Sequence, residues 1–164
     1  MSAPRFLSLT LAALLPSQAH AQSPVQQAPE AASDAPQPTA RALARTADDP
    51  RLQWGPCPEF LPQGCAIAVL HGDPGQPNAD IFLRLPAGAD IPLHWHTSAE
   101  RMALVAGELQ VTYVGQEPIV LRAGTYAYGP AKLAHAARCG DAGSCVLFIA
   151  FEGPVDAVPG SPPP

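Results

Sequence analysis

Short apolar or alternating runs, separated by turn residues, occupy the chain from about position 66 to position 151. They predict strands at Ala66–Leu70, Asp80–Leu85, Ile91–Trp95, Arg101–Ala106, Leu109–Val114, Ile119–Leu121, Thr125–Tyr128, Leu133–Ala137 and Cys145–Phe151. No segment keeps a helical apolar period over the length of a helix. Closely spaced short strands of this kind predict an all-β sandwich or barrel, and the lack of an internal repeat predicts one such unit.

The N-terminal segment has the layout of a secretory signal peptide. Arg5 supplies a positive start, Phe6–Leu15 is an apolar run, and Ala19-His20-Ala21 is a small-residue cleavage site. This run is too short to cross a hydrocarbon core of roughly 30 Å. We therefore expect residues 1–21 to be removed on export, leaving a periplasmic or secreted protein that is not held in a membrane.

Composition divides the rest of the chain into three parts. Residues 22–50 are rich in Ala, Pro, Gln and Ser and lack apolar periodicity, which predicts a disordered spacer. Residues 159–164 predict a similar disordered tail. Residues 52–158 are left as one folded domain, with five basic and ten acidic residues and no basic patch. A nucleic-acid partner is therefore not expected.

The four cysteines fall into two local pairs, Cys57/Cys65 and Cys139/Cys145. An even number of cysteines in an exported chain favours disulfides, and local pairing is one of three connectivities. Free buried thiols and metal binding are the alternatives, although neither pair has the C-x-x-C spacing of common metal sites. With local pairing, the segment from Cys139 to Cys145 would be a hairpin closed at its base.

Two histidines and a glutamate are closely spaced in the stretch HWHTSAE. His94 and His96 share one face of a strand, because alternate residues point to the same side. The polar turn after them can return the chain, so that Glu100 opens a neighbouring strand. Buried imidazoles and a carboxylate each need a partner, and a divalent metal would satisfy all of them. His135, on a later predicted strand, is a candidate fourth ligand.

The spacing around these residues resembles the two sequence motifs of the cupin superfamily. The signature positions of the first motif are all matched, by Gly88, His94, His96, Glu100 and Gly107. The second motif is matched by Gly124, Pro130 and His135. Two positions depart from the family pattern: Lys132 stands where a glycine is common, and Cys139 where an asparagine is common. Neither position supplies a metal ligand in the family. The resemblance covers about residues 66–151.

This resemblance implies a fold and a metal. The fold is a single double-stranded β-helix, the jelly-roll-like cupin barrel. The metal is one divalent ion, held by His94, His96, Glu100 and His135. Cupins use Fe, Mn, Ni, Zn, Co or Cu, and a set of three histidines and one glutamate does not select among these metals.

Several other side chains are candidates for the site. Met102 and Leu104 share the face of Glu100, and Arg101 should point away from it. An apolar pocket is predicted from these two residues together with Leu83, Val146 and Phe148. Tyr126 and Tyr128 are either ordinary strand aromatics or hydrogen-bonding partners of a substrate. His71 is predicted to be an exposed loop residue.

A metal held by four protein ligands keeps one or two coordination positions for other molecules. The sequence therefore favours an exported metalloenzyme that acts on a small molecule, most simply a non-haem dioxygenase, with no catalytic residue assigned. The alternative is a non-catalytic protein that binds a small ligand through its metal, because a fold does not fix a function. The oligomeric state is left open, with a homodimer as one option.

Overall fold

The computed structural model describes residues 41–163. The predicted signal peptide and residues 22–40 of the predicted spacer lie outside them. Within the described range every helix or strand is a β-strand, so the all-β prediction is confirmed. The same range contains no helix long and apolar enough to cross a membrane.

Eleven strands form two antiparallel sheets. In chain order they are β1 Trp54–Pro56, β2 Ala66–His71, β3 Asp80–Leu85, β4 Asp90–Trp95, β5 Glu100–Ala106, β6 Glu108–Tyr113, β7 Ile119–Arg122, β8 Tyr126–Gly129, β9 His135–Cys139, β10 Cys145–Phe151 and β11 Val158–Pro159. The first sheet has the order β1-β2-β3-β10-β5-β8, and the second has the order β11-β4-β9-β6-β7. The apolar core lies between them.

Two strands were not predicted, and both contain proline. β1 includes Pro56 and β11 includes Pro159, and each strand forms the edge of its sheet. Proline has no N–H to donate to a β-ladder, so a strand tolerates it best at the edge of a sheet. The same proline interrupts the apolar pattern, which is why the sequence did not predict these two strands. β9 begins at His135 rather than at Leu133, whose amide closes a turn onto the carbonyl of Pro130.

The predicted position of Glu100 beside the histidine strand is wrong in one respect. Glu100 does open β5, but β5 pairs with β10 and β8, whereas β4 pairs with β9 and β11. The turn after His96 therefore carries the chain from one sheet to the other. Glu100 approaches the histidines from the opposite wall of the barrel.

The prediction that Val146 and Phe148 of β10 face the interior is also wrong. Leu147, Ile149 and Phe151 line the interior, while Phe148 lies on the other face and packs edge-on against Phe82 at 6.5 Å. Val146 shares that outer face because alternate residues point to the same side. Both faces of β10 are apolar, so alternation alone could not tell which one faces inward.

Both cysteine pairs are disulfide-bonded as predicted, Cys57 to Cys65 and Cys139 to Cys145. The predicted hairpin between Cys139 and Cys145 is wrong, because β9 and β10 belong to different sheets. This second disulfide therefore joins the two sheets covalently. Its sulfur atoms are buried in the core.

Lys132 adopts a left-handed conformation, with φ of 61°. This is the motif position at which a glycine is common, and a glycine adopts such a φ without a steric penalty. The Lys132 amide donates to the carbonyl of His96 at 2.8 Å, which fixes the loop against one of the histidines. The conformation costs a residue with a Cβ about 1 kcal/mol or more.

Replacing Lys132 by glycine is expected to stabilise the domain by about 1 kcal/mol, because glycine adopts this φ without a steric penalty. Urea unfolding would measure the change. Lys132→Ala is the matched control, since it removes the charge but keeps the Cβ, and it should give no gain. Equal stabilisation by both substitutions would show that the lysine charge, not the backbone, is unfavourable.

Candidate metal centre

Three histidines meet at one end of the barrel interior. His94 lies near the end of β4, His96 directly follows that strand, and His135 begins β9, the neighbouring strand. Their ring centroids are 4.3 Å apart for His94 and His135, and 5.0 Å apart for His94 and His96. All three are buried, and their ligand nitrogens lie within 4.8 Å of one another. This cluster could hold a metal ion.

Each histidine is oriented by a backbone carbonyl. Nδ1 of His94 bonds to the carbonyl of Pro92 at 2.9 Å, and Nδ1 of His135 bonds to that of Leu133 at 3.2 Å. Nδ1 of His96 bonds to the carbonyl of Asp156. A carbonyl only accepts, so Nδ1 carries the proton in each ring. In the neutral ring, Nε2 is then left with a free lone pair, which is the form that binds metals.

Burial keeps two of these rings neutral. It lowers the pKa of His94 to about 4, with a smaller contribution from His96. It lowers the pKa of His135 to about 3, with the nearby His94 as the next cause. Both rings are therefore unprotonated at neutral pH.

Glu100 reaches the cluster from the opposite sheet. Its carboxylate oxygens lie 3.5 Å from Nε2 of His96 and 3.5 Å from Nε2 of His135. The side chain is almost wholly buried, and burial raises its pKa. One oxygen, Oε1, has no hydrogen-bond partner.

These contacts fit a cation better than they fit the side chains alone. The Nε2 atoms of His96 and His135 point lone pairs towards oxygens that also carry lone pairs. One proton on Glu100 could bridge only one of the two contacts. A divalent metal among these atoms would compensate the charge of Glu100 and accept electron pairs from all of them. The donor set therefore fits a divalent metal.

A tyrosine and a glycine that the sequence did not single out lie behind this site. Tyr113 pairs with His135 across β6 and β9, and their ring centroids are 4.9 Å apart. Burial, with Glu100 second, raises the pKa of its hydroxyl, which has no hydrogen-bond partner. A Cβ added to Gly129 would lie 2.7 Å from Oε1 of Glu100 and 3.0 Å from the Tyr113 hydroxyl. Only a glycine leaves room for both groups.

Gly129→Ala is expected to weaken metal binding about tenfold or more, because the new methyl group would push the Glu100 carboxylate out of place. The ligand atoms themselves remain present. Competition with a coloured chelator would measure the affinity. Gly143→Ala is the control, since a Cβ there meets nothing within 4 Å. Equal affinities in the two variants would mean that the carboxylate position does not matter.

The histidine cluster opens into a cavity of about 380 Å³. Its wall is apolar except for the cluster itself, Glu100 and Asp156. Met102 and Leu83 line it as predicted, whereas Leu104 is buried without lining it. The inward residues of β10 replace Val146 and Phe148 in the predicted pocket.

Two segments outside the predicted pocket form the rim of the cavity. One is the loop closed by the Cys57–Cys65 disulfide, which contributes Pro58 and Leu61. The other is residues 155–157, between β10 and β11. Asp156 in this segment accepts from the amide of Thr97 at 3.1 Å, in addition to its carbonyl contact with His96. These segments have no strand pattern, so only their contacts reveal them.

The remaining candidates lie away from the site. Tyr126 and Tyr128 are 64% and 52% exposed and do not line the cavity, so they are ordinary strand aromatics. Arg101 points outward as predicted and pairs with Glu152. His71 is exposed, although it ends β2 rather than lying in a loop.

Comparison with protein families identifies the domain that contains this site. Residues 81–151 match the family model described as the cupin domain. The chain carries a cupin domain. All four residues of the candidate metal centre fall inside the matched range, and the cupin superfamily resemblance of the two motifs is confirmed.

Solved structures share this cupin fold. The DMSP lyase DddQ from Ruegeria pomeroyi DSS-3 is 24% identical, with a TM-score of 0.57 over 66% of this chain and 60% of that one. An RmlC-like cupin from Shewanella frigidimarina NCIMB 400 is 21% identical, with a TM-score of 0.53 over 64% of this chain and 86% of that one. A variant of oxalate decarboxylase from Bacillus subtilis is 23% identical, with a TM-score of 0.50 over 58% and 27%.

These likenesses establish the fold and not the activity. The cupin domain spans less than two thirds of the DddQ chain that it matches. None of the curated proteins compared with the chain matches it.

Proposed function

We propose that this cupin domain is a metalloenzyme that acts on a small organic molecule, with one divalent metal held by His94, His96, Glu100 and His135. The observation that carries the proposal is the orientation of the imidazoles, because backbone carbonyls hold their Nδ1 atoms and leave Nε2 free. The buried oxygen of Glu100 without a partner supports it. A purely structural core would have no use for four such groups facing one another.

The preferred reaction class is that of a non-haem dioxygenase. A bound divalent iron would supply the redox chemistry and the Lewis acidity. The chain's own contribution is to hold the ligand atoms and keep water away from the apolar part of the substrate. The wall residues exclude water, and Glu100 lowers the net charge of the metal site. The similar proteins include a DMSP lyase and an oxalate decarboxylase, so lyase or decarboxylase chemistry on the same site is the nearest alternative within enzymes.

Metal analysis and oxygen uptake would test this function. Protein purified from its native compartment should contain about one transition-metal ion per chain. The iron-loaded form should consume oxygen with at least one small organic substrate, and the His135→Ala variant should not. Metal binding without turnover of any substrate would favour the second candidate.

The second candidate is a metal-dependent small-ligand binding protein without catalysis. It is favoured by the small number of acidic groups in the cavity, because Asp156 is the only carboxylate besides Glu100 among the lining residues. The Asp156 carboxylate is already engaged by the Thr97 amide. General acid–base catalysis needs a group free to exchange a proton, so non-oxidative chemistry has few candidates here.

We also propose that the protein is exported and that residues 1–21 are a cleaved signal peptide. The two disulfides are compatible with a secreted protein, because disulfides persist in oxidising compartments. N-terminal sequencing of the exported form should begin at Gln22. Full-length protein in the cytoplasm with free thiols would contradict this.

A further inference from the structure

The wall of the cavity is built in apolar layers beneath the candidate metal centre. Next below Glu100 on the first sheet, Met102, Ile149 and Ile81 are paired across three strands. On the second sheet, Ile91, Ala137 and Val111 form the same level by their register. A deeper level contains Leu83, Leu147 and Leu109. All nine residues line the cavity.

Polar groups occur at one end only. The three histidines and Glu100 lie together, and Asp156 contacts His96 from the rim. Among the lining residues there is no lysine, arginine, serine, threonine, asparagine, glutamine or tyrosine. A second charged group on a ligand would therefore find no partner on the wall. Burying a charge without a partner costs several kcal/mol or more.

We propose that the cavity takes a single-headed apolar ligand: one oxygen-bearing head group at the histidine cluster and an uncharged hydrocarbon body among the apolar layers. Diacids are excluded, because the apolar layers offer no cationic or hydrogen-bonding partner to a second carboxylate. Where the head binds rests on the proposed function, whereas the nature of the body rests on the wall alone. The volume of about 380 Å³ is near the lower end of the usual range for small-molecule sites, about 300–1,000 Å³.

Calorimetry with fatty acids of graded length tests the body of the ligand. The probes are hexanoate, heptanoate and octanoate, titrated into zinc-loaded protein, because zinc has no redox chemistry. Each added methylene should tighten binding about fourfold, the equivalent of about 0.8 kcal/mol per buried methylene. Octanedioate has the same length as octanoate with a second carboxylate, and should bind at least about 100-fold more weakly. A flat length series, or octanedioate as tight as octanoate, would overturn the proposal.

A matched pair of variants tests whether the ligand binds inside the cavity. Ala137→Phe would fill the first apolar layer, two residues along β9 from His135, and should weaken octanoate binding about tenfold or more with zinc content unchanged. Ala136→Phe adds the same ring to the outer face of the same strand and should leave binding unchanged. Equal effects of the two variants would place the ligand outside the cavity. The length series in the unmodified protein decides the ligand class even if Ala137→Phe does not fold.

A metal-free arm separates the two proposals. The alcohols 1-hexanol, 1-heptanol and 1-octanol need no metal, and should show the same fourfold step per methylene in protein treated with a chelator. If zinc does not bind but the alcohols show this step, the proposed function fails and the ligand class stands. If zinc binds and neither series depends on length, the ligand class fails and the proposed metal site stands.

Discussion

His135→Ala is expected to lower the metal content from about one ion per chain to well below one. The substitution removes one donor from a cluster whose members come from two strands, and no other histidine of the described chain is near enough to replace it. His94→Ala should have the same effect. Elemental analysis of the purified variants, beside circular dichroism to confirm the fold, would measure it. The fold should survive, because the strands are held by apolar pairing and two disulfides.

His71→Ala is the matched control, since His71 is an exposed residue at the end of β2. Glu100→Gln is the finer test, because it removes the charge at nearly constant volume. Weaker binding with an intact fold would identify Glu100 as a ligand. Metal content unchanged in all three site variants would refute the metal centre. Unfolding of all three would show instead that the metal is mainly structural.

Acidification is expected to destabilise the metal-free protein as the pH falls from about 6.5 towards 4. The fold lowers the pKa of His94 to about 4 and that of His135 to about 3, from an ordinary value of 6.5. Below pH 6.5 these two rings are therefore protonated in the unfolded chain but remain neutral in the folded chain. Stability is fully present above pH 6.5 and declines as the pH falls.

Glu100 has the opposite effect on the pH dependence of stability. Burial raises its pKa, so the folded chain takes up that proton at a higher pH than the unfolded chain does. Two histidines against one carboxylate leave a net loss of folding stability as the pH falls. Urea unfolding of chelator-treated protein at several pH values would measure it. A His94→Asn/His135→Asn double variant should lose most of the dependence. Greater stability at pH 4.5 than at pH 7.5 would contradict the prediction.

The sequence predicted the metal centre better than its surroundings, for a physical reason. His94, His96 and Glu100 are close in the chain, and strand alternation gives their direction within a few residues. His135 was identified by motif spacing, not by geometry. The error in placing β5 beside β4 arose because a turn of three residues can join strands of one sheet or of two facing sheets. Local sequence does not distinguish these outcomes.

The features that the sequence did not predict depend on contacts between distant residues. Gly129 and Tyr113 matter because the Gly129 backbone lies against both the Glu100 side chain and the Tyr113 hydroxyl. Asp156 is 60 residues from the histidine that its carbonyl orients. The face of β10 was misassigned because both of its faces are apolar. Periodicity identifies a strand, but only the packed sheet decides which face is interior.

The rim of the cavity lies outside the part of the chain that the family model matches. That match begins at residue 81 and ends at residue 151, whereas the rim is formed by the disulfide-closed loop 57–65 and by residues 155–157. Substitutions in the rim can therefore change which molecules enter without altering a single metal-facing atom. In evolutionary terms, entry and chemistry are separable: the molecules admitted can change with the rim, while the apolar wall and the candidate ligand atoms within residues 81–151 are inherited intact.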